Sequence, residues 1–413
     1  MSEMSYLEKL LDGVEVEWLP LAKVCRLING RAYKQEELLS KGKYPVLRVG
    51  NFFTNQNWYY SDLELDQDKY CDNGDLLYAW SASFGPRIWH GGKSIYHYHI
   101  WKVVPDSDFI CKQFLYYLLQ WDTKALKDAH STGSTMMHIS KTTIEKRLVP
   151  IPCPDNPEKS LAIQSEIVRI LDKFTALTAE LTAELNMRKK QYNYYRDQLL
   201  SFDDEQEKPI YLEKLLDGVE VEWLPLGEVS ALRRGRVMSK GYLTENFGPY
   251  PVYSSQTANN GKIGSINTFD FDGEYISWTT DGANAGTVFY RTGKFSITNV
   301  CGLITLKSKY PLIYKFLFYW LTIEAKKHVY SGMGNPKLMS HQVENIPVPI
   351  LCPDNPEKSL AIQSEIVRIL DKFDTLTNSI TEGLPREIEL RQKQYEYYRD
   401  LLFSFPKPET VSN

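Results

Sequence analysis

Two stretches of the sequence hold residue types that could bind a phosphate group or a metal ion. The run GGKS at Gly91–Ser94 resembles the end of a phosphate-binding loop, but Arg87 stands where the first glycine of that motif belongs. His97 and His99 alternate in a strand-like run and would share one face, yet no cysteine or carboxylate nearby completes a metal site. We therefore predict neither a phosphate-binding loop nor a metal centre here.

Acidic and amide side chains elsewhere in the sequence also do not form a complete catalytic motif. Asp155, Glu158 and Lys159 are the residue types of a nuclease site, but they stand at a predicted helix start, where acidic side chains stabilise the helix dipole. An amino-methyltransferase needs a cofactor-binding glycine loop and an Asn-Pro-Pro-aromatic motif, whereas DNPEKS supplies a lone Asn-Pro. We predict no catalytic residue, no bound cofactor and no bound metal in this chain.

Basic residues are concentrated in two blocks of the chain. The whole sequence has a formal net charge of −4, but residues 22–150 hold 17 Lys and Arg against 13 Asp and Glu. Residues 227–350 hold 13 basic residues against 8 acidic ones. Random fluctuation of a few charges is the alternative explanation. Two mildly basic blocks in an acidic frame favour contact with nucleic acid.

The candidates for contact with phosphates or base edges are polar and basic residues of glycine-containing loops. The basic candidates are Arg31, Lys34, Lys41, Lys43 and Arg48 in the first block and Arg233, Arg234, Arg236, Lys240 and Lys262 in the second. Further loop candidates are Ser81, Ser83, Arg87, Ser134 and His138, with Thr280, Asp281, Asn284, Asn335 and Lys337 as their expected equivalents. An amide such as that of Asn284 can pair with adenine through two hydrogen bonds. For each single residue, an ordinary solvated role is the alternative.

The sequence repeats itself around these blocks. The repeated segments are CPDNPEKSLAIQSEIVRILDKF at Cys153–Phe174 and Cys352–Phe373, YLEKLLDGVEVEWLPL at Tyr6–Leu21 and Tyr211–Leu226, and approximately RKKQYNYYRDQLLSF from Arg188 and RQKQYEYYRDLLFSF from Arg391. The blocks between them, Ala22–Val149 and Gly227–Val348, show little letter-by-letter identity. We predict two similar halves related by a pseudo-twofold axis, in which one scaffold carries two different recognition modules.

Each CPDNPEKS segment is predicted to begin a long helix. Apolar or long side chains recur in alternating steps of four and three, the spacing of a coiled-coil seam. The predicted seam of the first helix is Ile163, Ile167, Ile170, Phe174, Leu177, Leu181, Leu185, Arg188, Tyr192, Tyr195 and Leu199, with a stutter at the tandem TAEL of residues 178–185. The predicted seam of the second helix is Ile362, Ile366, Ile369, Phe373, Leu376, Ile380, Leu384, Ile388, Arg391, Tyr395, Tyr398 and Leu402.

The second helix contains four more residues than the first. If these four residues formed nearly one further turn of helix, the seam residues before and after them would stay on the same face of the helix. The ring of Pro385 predicts a kink or an interruption, because it removes a hydrogen bond and crowds the preceding turn. A plain loop is the alternative.

Helices of this length are long enough to separate two modules. A helix over residues 160–200 would be about 60 Å long. Two such helices, packed antiparallel through their seams, would hold the two blocks at opposite ends. A separation of about 35–50 Å corresponds to roughly 10–15 base pairs, near one turn of B-form DNA. We therefore predict that the helices set the distance between two DNA-binding modules.

Both variable blocks are predicted to be mixed α and β. In the first block the runs YPVLRVGNFF (Tyr44–Phe53), GDLLYAW (Gly74–Trp80) and SIYHYHIWKVV (Ser94–Val104) predict strands, and FICKQFLYYLLQWDTKAL predicts a helix. In the second block YPVYSS, EYISWTT, GTVFYRT and KFSITNVCGLITL predict strands, and PLIYKFLFYWLTIEAKK predicts a helix. Because each block ends in a glycine-containing loop before an IPxP segment, we expect the two blocks to share one fold.

Length and composition are those of a soluble protein. A chain of 413 residues with 43% hydrophobic and 24% charged residues can form two or more domains. The N-terminus lacks the pattern of a signal peptide, and no stretch approaches 18 uninterrupted apolar residues. Six cysteines without a CxxC pair argue against a disulfide framework and a zinc site. We expect a cytoplasmic protein with reduced thiols and no membrane partner.

With these features the chain resembles the specificity subunits of type I restriction-modification enzymes over almost its whole length. The marks are the twin CPDNPEKS helices, the tandem TAEL and the RKKQY and RQKQY helix ends, which together look like the subgroup with TAEL-type spacer repeats. The resemblance implies two target recognition domains that read a split, asymmetric sequence of double-stranded DNA. It also implies two modification subunits, which methylate adenine, and restriction subunits, which translocate and cut DNA. S-adenosylmethionine, ATP and Mg are then expected in these partner subunits.

The predicted fold class is therefore α+β, with two mixed α/β target recognition domains, two long antiparallel helices that form a coiled coil, and an internal pseudo-twofold repeat. The expected boundaries are 1–153 for the N-terminal segment and first domain, 154–205 for the first helix, 206–352 for the second domain, 353–405 for the second helix and 406–413 for the tail. The alternatives are a coiled-coil scaffold without DNA specificity and a free-standing DNA-modifying enzyme. A scaffold would show no DNA preference with partners added, and an enzyme would bind cofactor or turn over alone.

Overall fold

The computed structural model describes residues 6–53, 55–81, 84–130, 138–202, 210–332 and 334–407. By its internal contacts the chain divides into two compact units, Met1–Glu180 with Ile388–Asn413, and Leu181–Glu387. Each unit therefore holds one variable block together with parts of both long helical segments. Within the described residues, every helix is too short or too polar to span a lipid bilayer.

The first unit is built from three sheets and the helices that cover them. Its elements are α1 (Tyr6–Leu11), β1 (Val16–Pro20), α2 (Leu21–Val24), β2 (Cys25–Asn29), β3 (Tyr44–Leu47), α3 (Val49–Phe53), β4 (Tyr59–Ser61), β5 (Tyr70–Cys71), β6 (Leu76–Ala79), β7 (Gly85–Ile88), β8 (Ser94–Tyr96), β9 (Ile100–Pro105), α4 (Lys112–His130), α5 (Lys141–Glu145), β10 (Leu148–Pro152) and the start of α6 (Pro157–Leu199). The sheets have the strand orders β2-β9-β6-β7, β4-β3-β8-β5 and β1-β10.

Two strand predictions in this unit are wrong in part. The run predicted as one strand over Tyr44–Phe53 is a strand only to Leu47, and α3 follows. Gly50 and the polar residue after it break the strand pattern, and a single turn of helix is enough to bury Phe52. The run predicted over Ser94–Val104 is two strands, because a turn intervenes before β9.

The second unit has a similar arrangement of strands and helices, but its strands form two sheets instead of three. Its elements are the end of α6, α7 (Ile210–Leu215), β11 (Val221–Pro225), α8 (Leu226–Val229), β12 (Ser230–Arg234), α9 (Lys240–Glu245), β13 (Phe247–Tyr253), β14 (Lys262–Ile266), β15 (Phe271–Thr279), β16 (Val288–Ile297), β17 (Cys301–Leu306), α10 (Tyr314–Glu324), α11 (Ser340–Val343), β18 (Pro347–Leu351) and α12 (Pro356–Asn378); α13 (Gly383–Leu402) follows. The sheets have the strand orders β12-β17-β15-β16-β13-β14 and β11-β18.

The two variable blocks share one fold, as the sequence predicted. The strand order β2-β9-β6 in the first unit corresponds to β12-β17-β15 in the second. The hairpin β3–β4, with β8 parallel to β3, corresponds to β13–β14 with β16 parallel to β13. In the second unit β16 is one continuous strand that joins both groups into a six-stranded sheet, whereas β7 and β8 are separate strands in the first unit.

The repeated helical segment docks onto each block through a fully buried glutamine. Gln164 and Gln363 each accept one hydrogen bond from a backbone N–H at 2.9 Å and donate one to a backbone carbonyl. The backbone partners are those of Cys111 and Phe109 for Gln164, and of Ile313 and Pro311 for Gln363. Because both partners are backbone atoms, one helix sequence can hold two blocks whose side chains differ.

A second repeated contact joins the same elements. Tyr117 on α4 donates its hydroxyl proton to Asp172 at 2.6 Å, and Tyr319 on α10 donates to Asp371 at 2.6 Å. Burial, and then the neighbouring carboxylate, raise the pKa of both tyrosines, so the hydroxyls stay protonated and remain donors. Each block is thus fixed to its helix by one amide and one phenol.

The buried face of the long helix differs from the predicted seam near each block. Ile163, Ile167 and Leu171, in steps of four, enter the core of the first unit. Steps of four place these residues on the face that meets the block, whereas the predicted seam residue Ile170 is half-buried beside it. Further along α6, the seam positions from Phe174 to Tyr192 are half-buried, and Tyr195 is 39% exposed.

Seam residues of α6 contact the other helices within each unit. In the first unit the ring of Phe174 stacks on Tyr398 with centroids 5.3 Å apart. In the second unit Phe373 stacks on Tyr195 with centroids 5.5 Å apart. The same kinds of ring meet in both units because both partners belong to the repeated segments.

The predicted interruption near Pro385 is present, but it precedes the proline. α12 ends at Asn378 and α13 begins at Gly383, so the extra residues do not form another turn of helix. Ile380 lies in the break and is 80% exposed, which makes its assignment to the seam wrong. Pro385 stands in the first turn of α13, where its missing N–H has no helical partner to lose. Gly383 has a φ of +79°, and a Cβ atom there would lie 2.3 Å from the carbonyl oxygen of Thr375.

Candidate nucleic-acid interface

In the first unit, loops that are far apart in the sequence meet beside the ends of β6 and β9. Arg31 pairs through its backbone with His97, and Ser81 pairs with His138. The amide of Trp80 donates to the carbonyl of His99 at 3.0 Å, which links the two pairs. We call this group loop cluster 1, defined as Arg31, residues 80–81, residues 97–99 and His138.

The second unit forms the same backbone arrangement from different residues. Arg236 pairs with Thr298, and Asp281 pairs with Lys337. The amide of Thr280 donates to the carbonyl of Val300 at 3.0 Å. We call this group loop cluster 2, defined as Arg236, residues 280–281, residues 298–300 and Lys337. Ser81 therefore corresponds to Asp281, and His138 to Lys337.

A glycine makes each cluster possible. Gly30 and Gly235 precede the arginines Arg31 and Arg236, and both lie against a neighbouring backbone. A Cβ atom on Gly30 would lie 2.2 Å from the carbonyl oxygen of Tyr96, and one on Gly235 would lie 2.3 Å from that of Ile297. Both distances are far below van der Waals contact, so only glycine fits either position.

Loop cluster 1 presents aromatic rings and imidazoles. The ring of Trp80 lies 4.8 Å from His99 and 6.0 Å from His138, and its indole N–H donates to the carbonyl of Tyr98 at 2.8 Å. Tyr98 is 38% exposed. Rings of this kind can stack on bases or line a groove. Arg31 beside them is half-buried, and its guanidinium donates two hydrogen bonds to the carboxylate of Glu37, at 2.7 and 2.9 Å.

The imidazoles of His97 and His99 in loop cluster 1 are neutral at pH 7. Burial, followed by the nearby His99 and Arg48, lowers the pKa of His97 to about 4. Burial and then His138 also lower the pKa of His99. Among the described residues no group of three or more His, Cys, Asp or Glu side chains is placed to hold a metal ion. Neutral imidazoles can donate or accept hydrogen bonds without attracting phosphate.

The low pKa of His97 predicts a pH-dependent loss of stability. Unfolded His97 titrates near its ordinary pKa of 6.5, so between pH 7 and pH 5 the unfolded chain takes up a proton that the folded chain does not. We expect His97→Gln to lose less of its Tm between pH 7 and pH 5 than the unchanged protein, as measured by thermal unfolding. His90→Gln, at an exposed position, is the control and should behave as the unchanged protein. An equal fall in Tm for all three would contradict the prediction.

Loop cluster 2 presents hydrogen-bonded polar and basic groups instead of rings. The guanidinium of Arg236 pairs with Asp270 at 3.0 Å and contacts the hydroxyl of Tyr242 at 3.2 Å. Arg234 donates to the carbonyl of Asn299 at 2.8 Å. Each guanidinium keeps further N–H groups beyond these bonds and is exposed, so each can still contact a phosphate or a guanine.

The structure places some predicted site residues together and separates others. Those in the two clusters are Arg31, Ser81 and His138, and Arg236, Thr280, Asp281 and Lys337. Those adjacent to a cluster are Arg48, Arg233, Arg234, Asn284 and Asn335. Those on other elements are Lys34, Lys41, Lys43, Arg87, Lys240 and Lys262. Ser83 and Ser134 lie outside the described residues.

Burial and pairing restrict several of these candidates. The side chains of Ser81 and Thr280 are 2% and 0% exposed, so they hold the loops rather than face a ligand. The amide of Asn284 donates to the carbonyl of Ser255 at 3.0 Å, so one of its donors is already used. Lys43 is paired with Glu64. Arg31 is half-buried and paired with Glu37, so Arg236 and Lys337 of loop cluster 2 remain the cluster candidates with exposed charge.

Sequence reasoning missed the ring-bearing part of loop cluster 1. Trp80 and Tyr98 were not among the candidates, and His97 and His99 were considered only as metal ligands. The signal was the interleaving of aromatic and histidine residues in SIYHYHIW, which is unusual for a core strand. The backbone pairing that exposes these side chains is visible only in the fold.

One repeated fold that carries two unlike loop surfaces is the architecture of a protein with two recognition sites. A family model described as the type I restriction modification DNA specificity domain matches residues 14–188 and 218–390. The chain therefore belongs to the family of type I restriction enzyme specificity subunits, which confirms at this level the resemblance noted in its repeated segments. Specificity subunits are the DNA-recognition components of type I restriction-modification systems, not the catalytic ones.

Known relatives resemble the chain over all or most of its length. The specificity subunit of the type I restriction enzymes EcoR124I and EcoR124II of Escherichia coli is 41% identical, over 100% of both chains. The EcoprrI specificity subunit of the same organism is 36% identical, over 92% of this chain and 93% of the relative.

Solved structures agree in fold. The S subunit of a type I restriction-modification system from M. genitalium has a TM-score of 0.56 at 17% identity, covering 98% of this chain and 100% of that one. A chain solved in work on complex assembly and conformational transition of the type I R-M system has a TM-score of 0.55 at 14% identity, covering 94% and 97%. At these identities the likeness supports the mixed α/β, two-domain fold.

Proposed function

We propose that each unit reads one half of a bipartite, asymmetric site in double-stranded DNA. The observation that carries this proposal is the pair of loop clusters, in which one backbone arrangement presents rings and imidazoles in the first unit and arginines with polar partners in the second. Different side chains on one framework would read different bases from a similar docking position. Phosphate contacts by the exposed arginines would supply much of the affinity and make it dependent on salt.

The long helices are proposed to act as the spacer between the half-sites. In this proposal α6 packs antiparallel on α12 and α13 as a coiled coil, with the tandem TAEL of residues 178–185 as the repeat that sets its length. The proposed domain boundaries are those expected from the sequence, 1–153, 154–205, 206–352, 353–405 and 406–413. The stacking of Phe174 on Tyr398 and of Phe373 on Tyr195 supports contact between the helices within each unit.

The acidic frame is proposed to dock the partner subunits. Two modification subunits would bind two repeated surfaces, and restriction subunits would join the complex. S-adenosylmethionine, ATP and Mg would then belong to these partners. Tyr194 and Tyr397, at equivalent places in the repeated helix ends, are 55% and 65% exposed, which supports two similar surfaces for two copies of one partner.

Exchanging one block tests the assignment of half-sites. Replacing Ala22–Val149 by the matching block of a relative, in complex with the modification subunits, should change one half of the methylated sequence and leave the other half and the gap unchanged. Sequencing of methylated genomic DNA gives both half-sites and the gap directly. Replacing Gly227–Val348 is the matched control and should change only the other half. A change in both halves after either exchange would refute the modular proposal.

Deleting residues 182–185 tests the spacer. Removal of one TAEL shortens a continuous helix by about 6 Å, because each residue contributes about 1.5 Å. We expect the gap between the half-sites to shrink by one or two base pairs, about 3.4 Å each, with both half-sites unchanged. Methylation mapping measures the gap. If the gap stays the same, the helices do not set it.

A further inference from the structure

A short loop in the second unit holds two asparagine side chains in a fixed position beside loop cluster 2. The loop, residues 254–261, connects β13 to β14. Its first residue, Ser254, shares a hydrogen bond with the hydroxyl of Thr298 at 2.9 Å, and Thr298 belongs to loop cluster 2. None of the loop residues was a candidate from the sequence, because QTANN carries no charge and no recognised motif.

The loop is closed by its own hydrogen bonds. The amide of Ser254 donates to the carbonyl of Gly261 at 2.9 Å, and the side chain of Gln256 donates to the carbonyl of Lys262 at 2.5 Å. From outside the loop, Asn284 donates to the carbonyl of Ser255 at 3.0 Å. These bonds fix both ends of the loop and its middle to the sheet and to the neighbouring loop.

Asn259 and Asn260 stand at the tip in a backbone conformation that side-chain-bearing residues rarely adopt. Their φ angles are 48° and 54°, and Gly261 follows with a φ of 80°. Three successive residues in the left-handed region are unfavourable, and asparagine is among the few residues that tolerate it. Both asparagines are exposed. The loop therefore holds two exposed amides in place at the cost of local strain, as expected of a preorganised binding element.

A buried arginine lies under the end of the loop. Arg291 is 2% exposed, and its guanidinium carbon lies 3.6 Å from the ring centre of Tyr253. Its Nε donates to the hydroxyl of Ser277 at 3.1 Å, whereas its Nη1 has no hydrogen-bond partner among the described residues. A Cβ atom on Gly261 would lie 3.0 Å from Nη2, so the guanidinium directly supports the loop. Burial lowers the pKa of Arg291 to about 10, and it is still charged at neutral pH.

We propose that Asn259 and Asn260 are specificity-determining residues that read base edges, with adenine as the base whose donor and acceptor pattern an asparagine amide matches. This inference rests on the proposed function, since it concerns the half-site assigned to the second unit. The first unit has a different loop in the corresponding place, between β3 and β4, which includes α3. Unlike loops at one position are consistent with unlike half-sites.

The test replaces both asparagines by glycine. Asn259→Gly with Asn260→Gly removes the amides but keeps the left-handed backbone, which glycine adopts without strain. In the complex with the modification subunits, we expect the preference for adenine at one or two positions of the second half-site to fall by about 5- to 150-fold per position, and the first half-site to stay unchanged. Methylation mapping, and binding to duplexes that differ at single base pairs, measure this preference.

Thr257→Ala is the matched control, because Thr257 is an exposed residue of the same loop with an ordinary φ of −98°. It should leave all preferences unchanged. The single variants Asn259→Gly and Asn260→Gly, with a thermal unfolding curve for each, separate side-chain loss from misfolding. Unchanged preferences in the folded double variant would overturn the inference while the block exchange could still succeed. A loss of preference spread over both half-sites would overturn it as well.

Discussion

Replacing Arg233, Arg234 and Arg236 together by glutamate is expected to lower the affinity of the assembled complex for its DNA site by about 10²- to 10³-fold at moderate salt. All three side chains are exposed at the end of β12 and beyond it, beside loop cluster 2. Among the described residues the Arg233 side chain makes no hydrogen bond or ion pair, and Arg234 and Arg236 keep free donors. Reversal therefore replaces attraction to the DNA backbone with repulsion.

The measurement is a titration of labelled DNA over a range of salt concentrations. If each arginine contacts one phosphate, the slope of log affinity against log salt should fall by about three. The control is Lys309→Glu, because this exposed lysine follows the opposite end of β17 from loop cluster 2. Size-exclusion chromatography should find the complex intact in both variants. Loss of assembly in the arginine variant would instead assign these residues to a protein interface.

Gly235→Ala is expected to disable the second half-site almost completely. The added Cβ would lie 2.3 Å from the carbonyl oxygen of Ile297 and 2.4 Å from that of Thr298, and backbone atoms in a sheet cannot move aside as a flexible side chain can. The pairing of Arg236 with Thr298 would have to open, which displaces loop cluster 2. We expect a loss of about 3 kcal/mol in the free energy of unfolding, in the upper range for overpacking.

Thermal and denaturant unfolding measure the loss of stability, and methylation mapping measures specificity. Gly30→Ala should have the same effect on the first half-site, because its Cβ would lie 2.2 Å from the carbonyl oxygen of Tyr96. Gly241→Ala is the control within the second unit, since it lies in α9 with only the Ser239 hydroxyl nearby, at 3.7 Å. Alanine there should be neutral or slightly stabilising. A Gly235→Ala complex with normal specificity in both halves would show that loop cluster 2 does not contact DNA.

Much of the frame could be predicted from the sequence because it depends on local pattern and on repetition. The long helix expected over residues 160–200 is α6, and the repeated segments form repeated contacts such as those of Gln164 and Gln363. The break before α13 was expected from Pro385, but its position was decided by Gly383, whose positive φ and close approach to Thr375 stop the helix earlier. Pro385 thus predicted that the helix is interrupted, whereas the backbone at Gly383 determined where the interruption lies.

The candidate sites could be predicted only in part. Charge pointed to Arg31, Arg234 and Arg236, since basic residues in glycine-containing loops are a local signal. Ser81 and Thr280 are buried in the fold, so they are not available to contact DNA. The residues next to them in the sequence do not indicate this burial. The rings of loop cluster 1 and the asparagines at residues 259 and 260 were missed, because uncharged residues become candidates only when the fold exposes them beside a charged site.

The sequence by itself determined the duplicated frame, the two unlike blocks and the mixed α/β composition of each, because repeats, helix periodicity and charge are carried by neighbouring residues. Only the tertiary structure decided which residues share a surface. Each loop cluster is held by backbone pairs between residues more than fifty positions apart, such as Arg31 with His97 and Asp281 with Lys337. Backbone hydrogen bonds between residues so far apart in the sequence depend on the order of the strands in the sheet. The residues around each pair do not determine that order.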